Sequence, residues 1–381
     1  MTFITKYRIC TQFSKALFLV AIVFAASSCS DEKVGSDEAV VTLSCKSFYT
    51  DSPANQNNSM RTAVPTRAIS AGTENTVQDL TVYIFNSDGD VIGHNYSSYS
   101  IDSQSTISMS ITTRAATGCT IYAVANAGPG TFSGVYNKAS FDEKYTSITS
   151  GHASDLASQS DYAIMFGKMT PVSISSGANS LGTITLDRLL SKITFHIIPH
   201  NADTAWPITI TGYQLHNVPL KCYYSDTHDV NTTQLTSYGD FDPVTPTSDN
   251  TDGKTLTFTY YVYENQAGTN PAATNWKLRN KTNHTAKTSY LTVTAQTAIW
   301  KSTYYIYLGG KNLTASGTGS SGSTYDYTDY NLYRNTNYTV TVNINGSGAS
   351  EDDVRVDYDA NIYFGTPGIS DWTPTSIDVN M

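Results

Sequence analysis

Apolar and polar residues alternate over short stretches along most of this chain, the period-two pattern of strands with one buried face. Near residues 40–49, for example, Val41, Leu43 and Cys45 alternate with polar neighbours. Further stretches of this kind predict strands at about 80–84, 107–111, 121–126, 164–166, 172–174, 184–198, 208–215, 256–263, 291–295, 304–308 and 338–344.

Strands at roughly ten-residue spacing, separated by polar turns, are typical of β-sandwiches. The chain has 381 residues, a length that favours more than one domain. We therefore predict an all-β protein with two sandwiches in tandem, which meet near residues 180–187.

Two regions break the alternation. Residues 50–76 are rich in Asn, Ser, Thr and Pro and predict an exposed loop. Residues 137–160 contain the one helical signal, because Ser140 and Glu143 have the spacing of a capping box with Ser140 as the N-cap. The poor apolar spacing that follows predicts a short helix.

The first 29 residues have the organisation of an export signal. Three basic residues precede an uninterrupted apolar run at 16–26, which ends in two serines and Cys29. This pattern predicts a signal peptide over residues 1–28, with Cys29 as the acylated N-terminus of an outer-membrane lipoprotein precursor. The alternative is a transmembrane anchor, which the shortness of the run disfavours.

Composition narrows the range of partners. Residues 1–28 carry three basic and no acidic residues, so the remaining 353 residues hold 20 basic and 32 acidic ones, a formal charge of −12. This balance disfavours nucleic acid and anionic lipid head groups. The other cysteines of this part, Cys45, Cys119 and Cys222, match no zinc or redox spacing, and we expect buried thiols.

No motif for catalysis or cofactor binding is found in the sequence. His196 and His200 share one face of a predicted strand, but no further ligand accompanies them at metal-site spacing. Residues 317–322 match G-x-G-x-x-G without the strand and helix that this motif requires. We therefore predict that the protein is not an enzyme and that it holds no cofactor or metal.

Several short phrases, spread from about residue 77 to 346, together resemble one known family. They lie at residues 80–85 with Asp88-Gly89, 122–126, 186–193, 261–265, 307–309, 330–335 and 338–342. They follow the order of the core-strand signatures of the fimbrillin family, the type V pilins of Bacteroidetes, with Ser191 where the family usually has Ala. Residues 30–33, directly after Cys29, resemble the surface-export signal of Bacteroidetes lipoproteins.

The resemblance implies two transthyretin-like β-sandwich domains, at residues 68–185 and 186–350. It also implies a tether with a removable N-terminal strand, at residues 29–67, and a C-terminal donor segment, at residues 351–381. A family member of this kind is a subunit of cell-surface fimbriae that supports adhesion or biofilm formation. Its partners are other fimbrial subunits and an arginine-specific protease.

The family's assembly route assigns the candidate processing site. The protease would remove the strand at about 40–49 by cutting between Arg67 and Ala68, or alternatively between Arg61 and Thr62. Loss of an integral strand leaves an apolar trough with bare backbone edges, which demands a partner strand. An ordinary loop arginine that is never cut stays an alternative.

The C-terminal segment of the next subunit would fill the trough. The candidate donor side chains are Val354, Val356, Tyr358, Trp372, Ile377, Val379 and Met381. The alternative is that these residues form the last strand of their own second domain.

Two questions of function stay open at this point. A stalk subunit needs both the cleavable strand and the tail, an anchor keeps its lipid, and a tip subunit often lacks the tail. A different class of protein, a lipid-anchored glycan-binding module that does not polymerise, would use exposed aromatic rings. The candidates for such rings are Trp206, Trp276, Trp300 and Trp372.

Overall fold

The computed structural model describes an almost entirely β protein. The described residues are 37–47, 76–99, 106–147, 163–200, 206–226, 237–246, 254–310, 312–313, 324–347 and 373–380.

The strands, in chain order, are β1 (Glu38–Ser47), β2 (Asp79–Phe85), β3 (Val91–Ser98), β4 (Thr106–Arg114), β5 (Ala116–Ala125), β6 (Tyr145–Ser147), β7 (Met165–Ile174), β8 (Gly177–Arg188), β9 (Leu190–Pro199), β10 (Thr209–His216), β11 (Val218–Pro219), β12 (Lys221–Tyr223), β13 (Tyr238–Gly239), β14 (Leu256–Tyr263), β15 (Tyr290–Gln296), β16 (Lys301–Tyr307), β17 (Asn312–Leu313), β18 (Thr324–Tyr325), β19 (Thr336–Ile344) and β20 (Thr373–Asn380). One α-helix, α1 (Lys138–Asp142), lies between β5 and β6, and a 3-10 turn at Trp276–Leu278 lies between β14 and β15.

Seven strands form the first sheet, in the order β3-β2-β5-β7-β8-β1-β4. The sheet curls over its own core, since its end strands β3 and β4 approach each other. Asn95 Nδ2 donates to the Ser110 carbonyl at 3.1 Å, and Thr113 Oγ1 donates to the Ile92 carbonyl at 2.9 Å. At Gly93 a side chain would begin only 3.0 Å from Thr113 Cβ, so a glycine allows this close approach.

Strand β2 is buried on both faces. Leu80, Val82 and Ile84 lie in the core enclosed by the first sheet. On the opposite face, the rings of Tyr83 and Phe85 pack edge-on against Phe141 of α1, at 5.6 and 5.9 Å. The strand therefore has no wet face, because the segment that carries α1 covers its outer side.

The predicted helix is present but is capped differently. Asn137 is the N-cap, and its side chain accepts from Ser140 N at 2.8 Å while Ser140 Oγ accepts from Asn137 N at 3.1 Å. The prediction that Ser140 is the N-cap is wrong, because Ser140 supplies the reciprocal half of the capping box from the first turn. This start places Phe141 against the aromatic rings of the sheet.

The second sandwich has two principal sheets, with the strand orders β14-β9-β19-β20 and β10-β15-β16. Alternate residues of β9, β15 and β19 are buried and their neighbours are partly exposed. The two sheets meet through side chains such as Tyr213 of β10 and Phe258 of β14, whose stacked rings are 3.9 Å apart.

The two sandwiches are joined by one residue, Leu189, because β8 of the first sheet ends at Arg188 and β9 of the second begins at Leu190. The sheets therefore change just beyond the expected division after residue 185. Strand β6 pairs with β12 across this junction, and Lys168 forms a 2.7 Å ion pair with Asp226. One apolar cluster runs from the second core to the outer face of the first sheet.

Most of the predicted strands are confirmed, and the short strands β6, β11, β12, β13, β17 and β18 were not predicted. The predicted strands at 164–166 and 172–174 are one strand, β7, and the predicted strand at 184–198 is two, β8 and β9. Strand β3 was not predicted, because its sequence VIGHNYSS has few apolar residues at alternate positions. It is placed by pairing with β2 instead.

Candidate assembly site

The strand that the sequence marks as removable is an interior strand of the first sheet. β1 pairs antiparallel with β4 from Glu38 opposite Arg114 to Lys46 opposite Thr106. On its other side it pairs parallel with β8, from Ala39 opposite Gly177 to Ser47 opposite Leu186. Removal of β1 would therefore break two ladders of backbone hydrogen bonds and leave two bare edges.

The inner face of β1 is apolar. Ala39, Val41, Leu43 and Cys45 are at most 1% exposed. They belong to one apolar cluster with side chains from the neighbouring strands β4, β8 and β2. Burial of a valine or leucine side chain contributes about 1.5–3 kcal/mol, so the trough beneath β1 is a site for a chain with alternate apolar residues.

The outer face of β1 is polar and carries a short row of hydroxyl pairs. Thr42 Oγ1 lies 3.1 Å from Ser110 Oγ, and Ser44 Oγ lies 3.1 Å from Ser108 Oγ, both on β4. These contacts are solvent-exposed, so they fix the register of the strand more than they hold it in place.

A β-bulge in β8 adjusts the parallel ladder. The register with β1 shifts by one residue between Thr42, which faces Ser180, and Ser44, which faces Thr183. Gly182 has φ +87°, a conformation that side-chain-bearing residues rarely adopt. The bulge keeps the apolar face of β8 toward the core on both sides of the shift.

Three buried thiols accompany this core and the junction. Cys45, Cys119 and Cys222 are free and buried, which confirms the expectation from the sequence. Burial raises the pKa of the Cys45 thiol to about 12 and that of Cys222 to about 12, and it also raises the pKa of Cys119. Thiolate reactivity at ordinary pH therefore requires opening of the structure.

The described arginines are poor protease sites. Arg114 lies within β4, and Arg188 is buried at the junction. Arg279 is buried and its guanidinium donates to backbone carbonyl groups, including Leu308 O at 2.8 Å. Arg334 forms a 2.7 Å ion pair with Glu264. Protease cleavage favours exposed loops, which none of these positions provides.

The predicted processing residues Arg61, Thr62, Arg67 and Ala68, and the predicted lipid site Cys29, lie outside the described residues. Within the described part of the chain, no helix is long and apolar enough to cross a membrane.

The last described strand belongs to the second sandwich. β20 pairs parallel with β19, with Ile377 opposite Val340 and Val379 opposite Val342. In the part of the chain that the structure describes, it is the end strand of its sheet and pairs with β19 alone. The other candidate donor residues lie outside the described residues: Val354, Val356, Tyr358, Trp372 and Met381.

The remaining residues singled out from the sequence lie apart from β1. His196 Nδ1 is 2.9 Å from Thr257 Oγ1, and His200 Nε2 is 2.9 Å from Asn343 Oδ1. Across the described ranges, no three His, Cys, Asp or Glu side chains are grouped as metal ligands would be. Trp206 is exposed, whereas Trp300 packs against the second core.

Sequence reasoning missed the partners of β1. Strand β8 lies far from β1 in sequence, and parallel pairing carries no local turn signal. The hydroxyls of Ser108 and Ser110 at alternate positions in β4 mark an outward polar face, and that signal could have suggested a ladder with Thr42 and Ser44.

A family profile described as the major fimbrial subunit protein (FimA) matches residues 41–231 of this chain. A second profile, described as a domain of unknown function, matches residues 260–315. No curated protein matches the chain.

Several solved structures are similar along most of their length. A proposed cell adhesion protein from Parabacteroides distasonis has a TM-score of 0.55 at 17% identity, over 80% of this chain and 88% of its own. The tip fimbrial protein Mfa3 from Porphyromonas gingivalis has a TM-score of 0.52 at 12% identity, over 80% of this chain and 94% of its own. A fimbrilin from the same species has a TM-score of 0.51 at 11% identity, over 90% of this chain and 97% of its own. At these identities the likeness shows the fold alone.

Proposed function

Because this chain belongs to the major fimbrial subunit family, we propose that it is a structural subunit of cell-surface fimbriae that polymerises by strand exchange and supports adhesion or biofilm formation. The observation that carries this proposal is the position of β1. It is an interior strand that fills an apolar trough, and the chain between β1 and β2 contains Arg61 and Arg67.

The trough limits what can replace β1. A replacement strand needs an apolar side chain at every second position and backbone groups for two neighbours, antiparallel to β4 and parallel to β8. The C-terminal segment has this pattern twice, at residues 354–358 and at residues 377–381. Its intervening charged and polar residues would lie on the wet face, as Thr42 and Ser44 do.

The proposed order of events begins with a precursor held at the outer membrane by lipid on Cys29. A cut after Arg67 would separate this lipid, together with β1, from the first sandwich. The C-terminal segment of another subunit would then enter the trough. Among the described strands of its own chain, β20 has one neighbour, β19, whereas the place of β1 offers two. Exchange therefore gains a second ladder of hydrogen bonds, which offsets part of the entropy lost on association.

The proposal is tested on the purified chain that starts after Cys29, treated with an arginine-specific protease. Intact mass locates the cut, and distinguishes Arg61, Arg67 and Arg355. We expect one trim after Arg67, followed by a ladder of oligomers that resists SDS. Arg67→Lys keeps the charge and removes the cleavage site, so it should block trimming, with Arg61→Lys as the matched control.

Two truncations identify the donor. A chain that ends at Ser350 should be trimmed and stay monomeric. A chain that ends at Trp372 shows whether residues 373–381 are needed to form the ladder of oligomers. A trimmed wild-type chain that stays monomeric would refute polymerisation, whereas a ladder formed by the chain that ends at Ser350 would refute the C-terminal segment as the donor. An untrimmed monomer would favour an anchor subunit or a glycan-binding protein.

A further inference from the structure

The far end of the second sandwich carries an exposed apolar patch. We define this distal patch as Trp206, Ala298 and Ile299, of which Trp206 is 43% and Ile299 69% exposed. Thr209 of β10 pairs with Gln296 of β15, so the start of β10 and the turn between β15 and β16 lie at the same end of their sheet. Grouped exposed apolar side chains mark contact surfaces more often than scattered ones do.

The turn that contains Ile299 is held by hydrogen bonds. Thr297 N donates to the Trp300 carbonyl at 2.9 Å, and Thr297 Oγ1 accepts from the backbone N–H groups of Ile299 and Trp300 at 3.2 and 3.3 Å. The ring of Trp300 packs against the second core. These contacts hold the Ile299 side chain outward, at a defined position.

The last residues described before the C-terminal segment, Gly346 and Ser347, lie at this same end. Ser302 Oγ, just after the turn, donates to the Ser347 carbonyl at 2.8 Å, and the Tyr304 hydroxyl donates to the Gly346 carbonyl. From Ser347 to Val354, the first residue of the candidate donor pattern, an extended chain spans at most about 25 Å. A strand that begins near Val354 therefore keeps its acceptor close to the distal patch.

The trough has its open end on the side away from the second sandwich. β1 begins beside Gly177 and ends beside Leu186, close to the junction at Arg188. Exposed residues at this open end are Arg114, the last residue of β4, Thr117 near the start of β5, and Ser176 between β7 and β8. A donor strand that takes the direction of β1 enters here, because the second sandwich lies at the other end.

We propose that the distal patch docks on the open end of the first sandwich of a second copy of this chain. The proposal rests on the proposed function, because it takes the second copy to be the subunit that receives the C-terminal segment. Burial of Trp206 and Ile299 would add an end-to-end contact to each strand-exchange joint and would limit bending between subunits.

Thiol labelling of Ile299→Cys tests this contact in the trimmed wild-type background. Trimming removes Cys45 with β1, and Cys119 belongs to the core beneath β1, so peptide mass spectrometry is used to separate the labelling of residue 299 from that of the native thiols. Tyr145→Cys is the matched control, since Tyr145 is 47% exposed at the middle of the subunit. We expect the maleimide labelling rate of Ile299→Cys to fall at least tenfold from monomer to polymer, and that of Tyr145→Cys to change less than twofold.

A second variant tests whether the contact matters for assembly. Ile299→Asp should shorten the ladder at least threefold, while Tyr145→Asp should leave it unchanged. If polymers form but Ile299→Cys is labelled equally fast in both states, this contact is refuted and strand exchange stands. If Ile299→Asp assembles like the wild type, the distal patch has no role in assembly. If the wild-type chain forms no polymer, the proposed function fails first, and this contact fails with it.

Discussion

Truncation of Leu43 to alanine probes how firmly β1 is held in the uncleaved chain. Leu43 lies at the centre of the inner face of β1 and is 1% exposed. Leucine-to-alanine changes at such positions cost about 2–5 kcal/mol, because they remove contacts and leave a cavity. If β1 separates locally from the sheet, the free energy of that opening falls by the same amount.

Cys45 reports this opening directly, because it lies on the same strand and its buried thiol, with a pKa of about 12, reacts only when exposed. Each 1.4 kcal/mol corresponds to a tenfold change in an equilibrium, so a loss of about 2 kcal/mol or more should raise the Cys45 labelling rate at least about 30-fold. Peptide mass spectrometry compares this rate with that of Cys222, which should change far less. Val40→Ala, on the exposed face of β1, is the control and should change the rate about twofold at most.

The result that would refute this reasoning is a common response of the two thiols. If Leu43→Ala accelerates Cys45 and Cys222 equally, β1 opens only with global unfolding and is not a separable strand. An unchanged Cys45 rate would mean that the inner face of β1 does not hold the strand in the sheet.

Three further predictions concern the stability of the whole chain. Glu264→Gln leaves Arg334 without its carboxylate partner in a mostly buried site and should lower the free energy of unfolding in urea by about 3 kcal/mol. Its control, Lys168→Met, breaks an exposed ion pair and should cost less than about 1 kcal/mol. In the same urea titration, Gly182→Ala places a side chain at φ +87° and should lower the free energy of unfolding by about 1–2 kcal/mol. Gly346→Ala, where a Cβ meets nothing within 4 Å, should change it by no more than about 0.5 kcal/mol. Burial raises the pKa of Cys45 from 9.0, and of Tyr213 and Tyr224 from 10.0, to about 12. The folded chain thus retains protons that the unfolded chain releases. The contribution of these three groups to the free energy of unfolding should be fully present below about pH 9 and should fall between pH 9 and 12, by at most about 1.4 kcal/mol per pH unit for each group. A stability that rises between pH 9 and 12 would contradict the burial of these groups.

The strands that sequence reasoning identified best are those with one wet and one buried face. In β19, for example, buried and partly exposed residues alternate throughout, and the sequence pattern predicts the strand closely. Strand β2 was also predicted correctly, but the pattern did not show that a further layer covers its outer face. Strand β2 is buried on both faces because Phe141 of α1 covers its outer side, and the N-cap of α1 is Asn137 rather than Ser140.

The candidate site, too, was predicted from the sequence only in part. The alternation of apolar and polar residues predicted β1 and its inner residues Val41, Leu43 and Cys45, because successive side chains of a strand point to opposite faces. The resemblance of the later phrases to fimbrillins pointed to strand exchange. The order of strands carries no such local signature, so the place of β1 between β4 and β8 became visible only in the fold.

By itself, then, the sequence determined the β class, the positions of most strands and the apolar face of β1, because these follow from local propensity and from the spacing of apolar residues. The tertiary structure alone decided that, among the described strands, β1 has two neighbours and β20 one, and that Ile299 and Ser347 lie at one end of the second sandwich. The physical reason is that strand pairing is non-local: hydrogen bonds and packing between distant segments choose the partners, and no short stretch of residues encodes that choice.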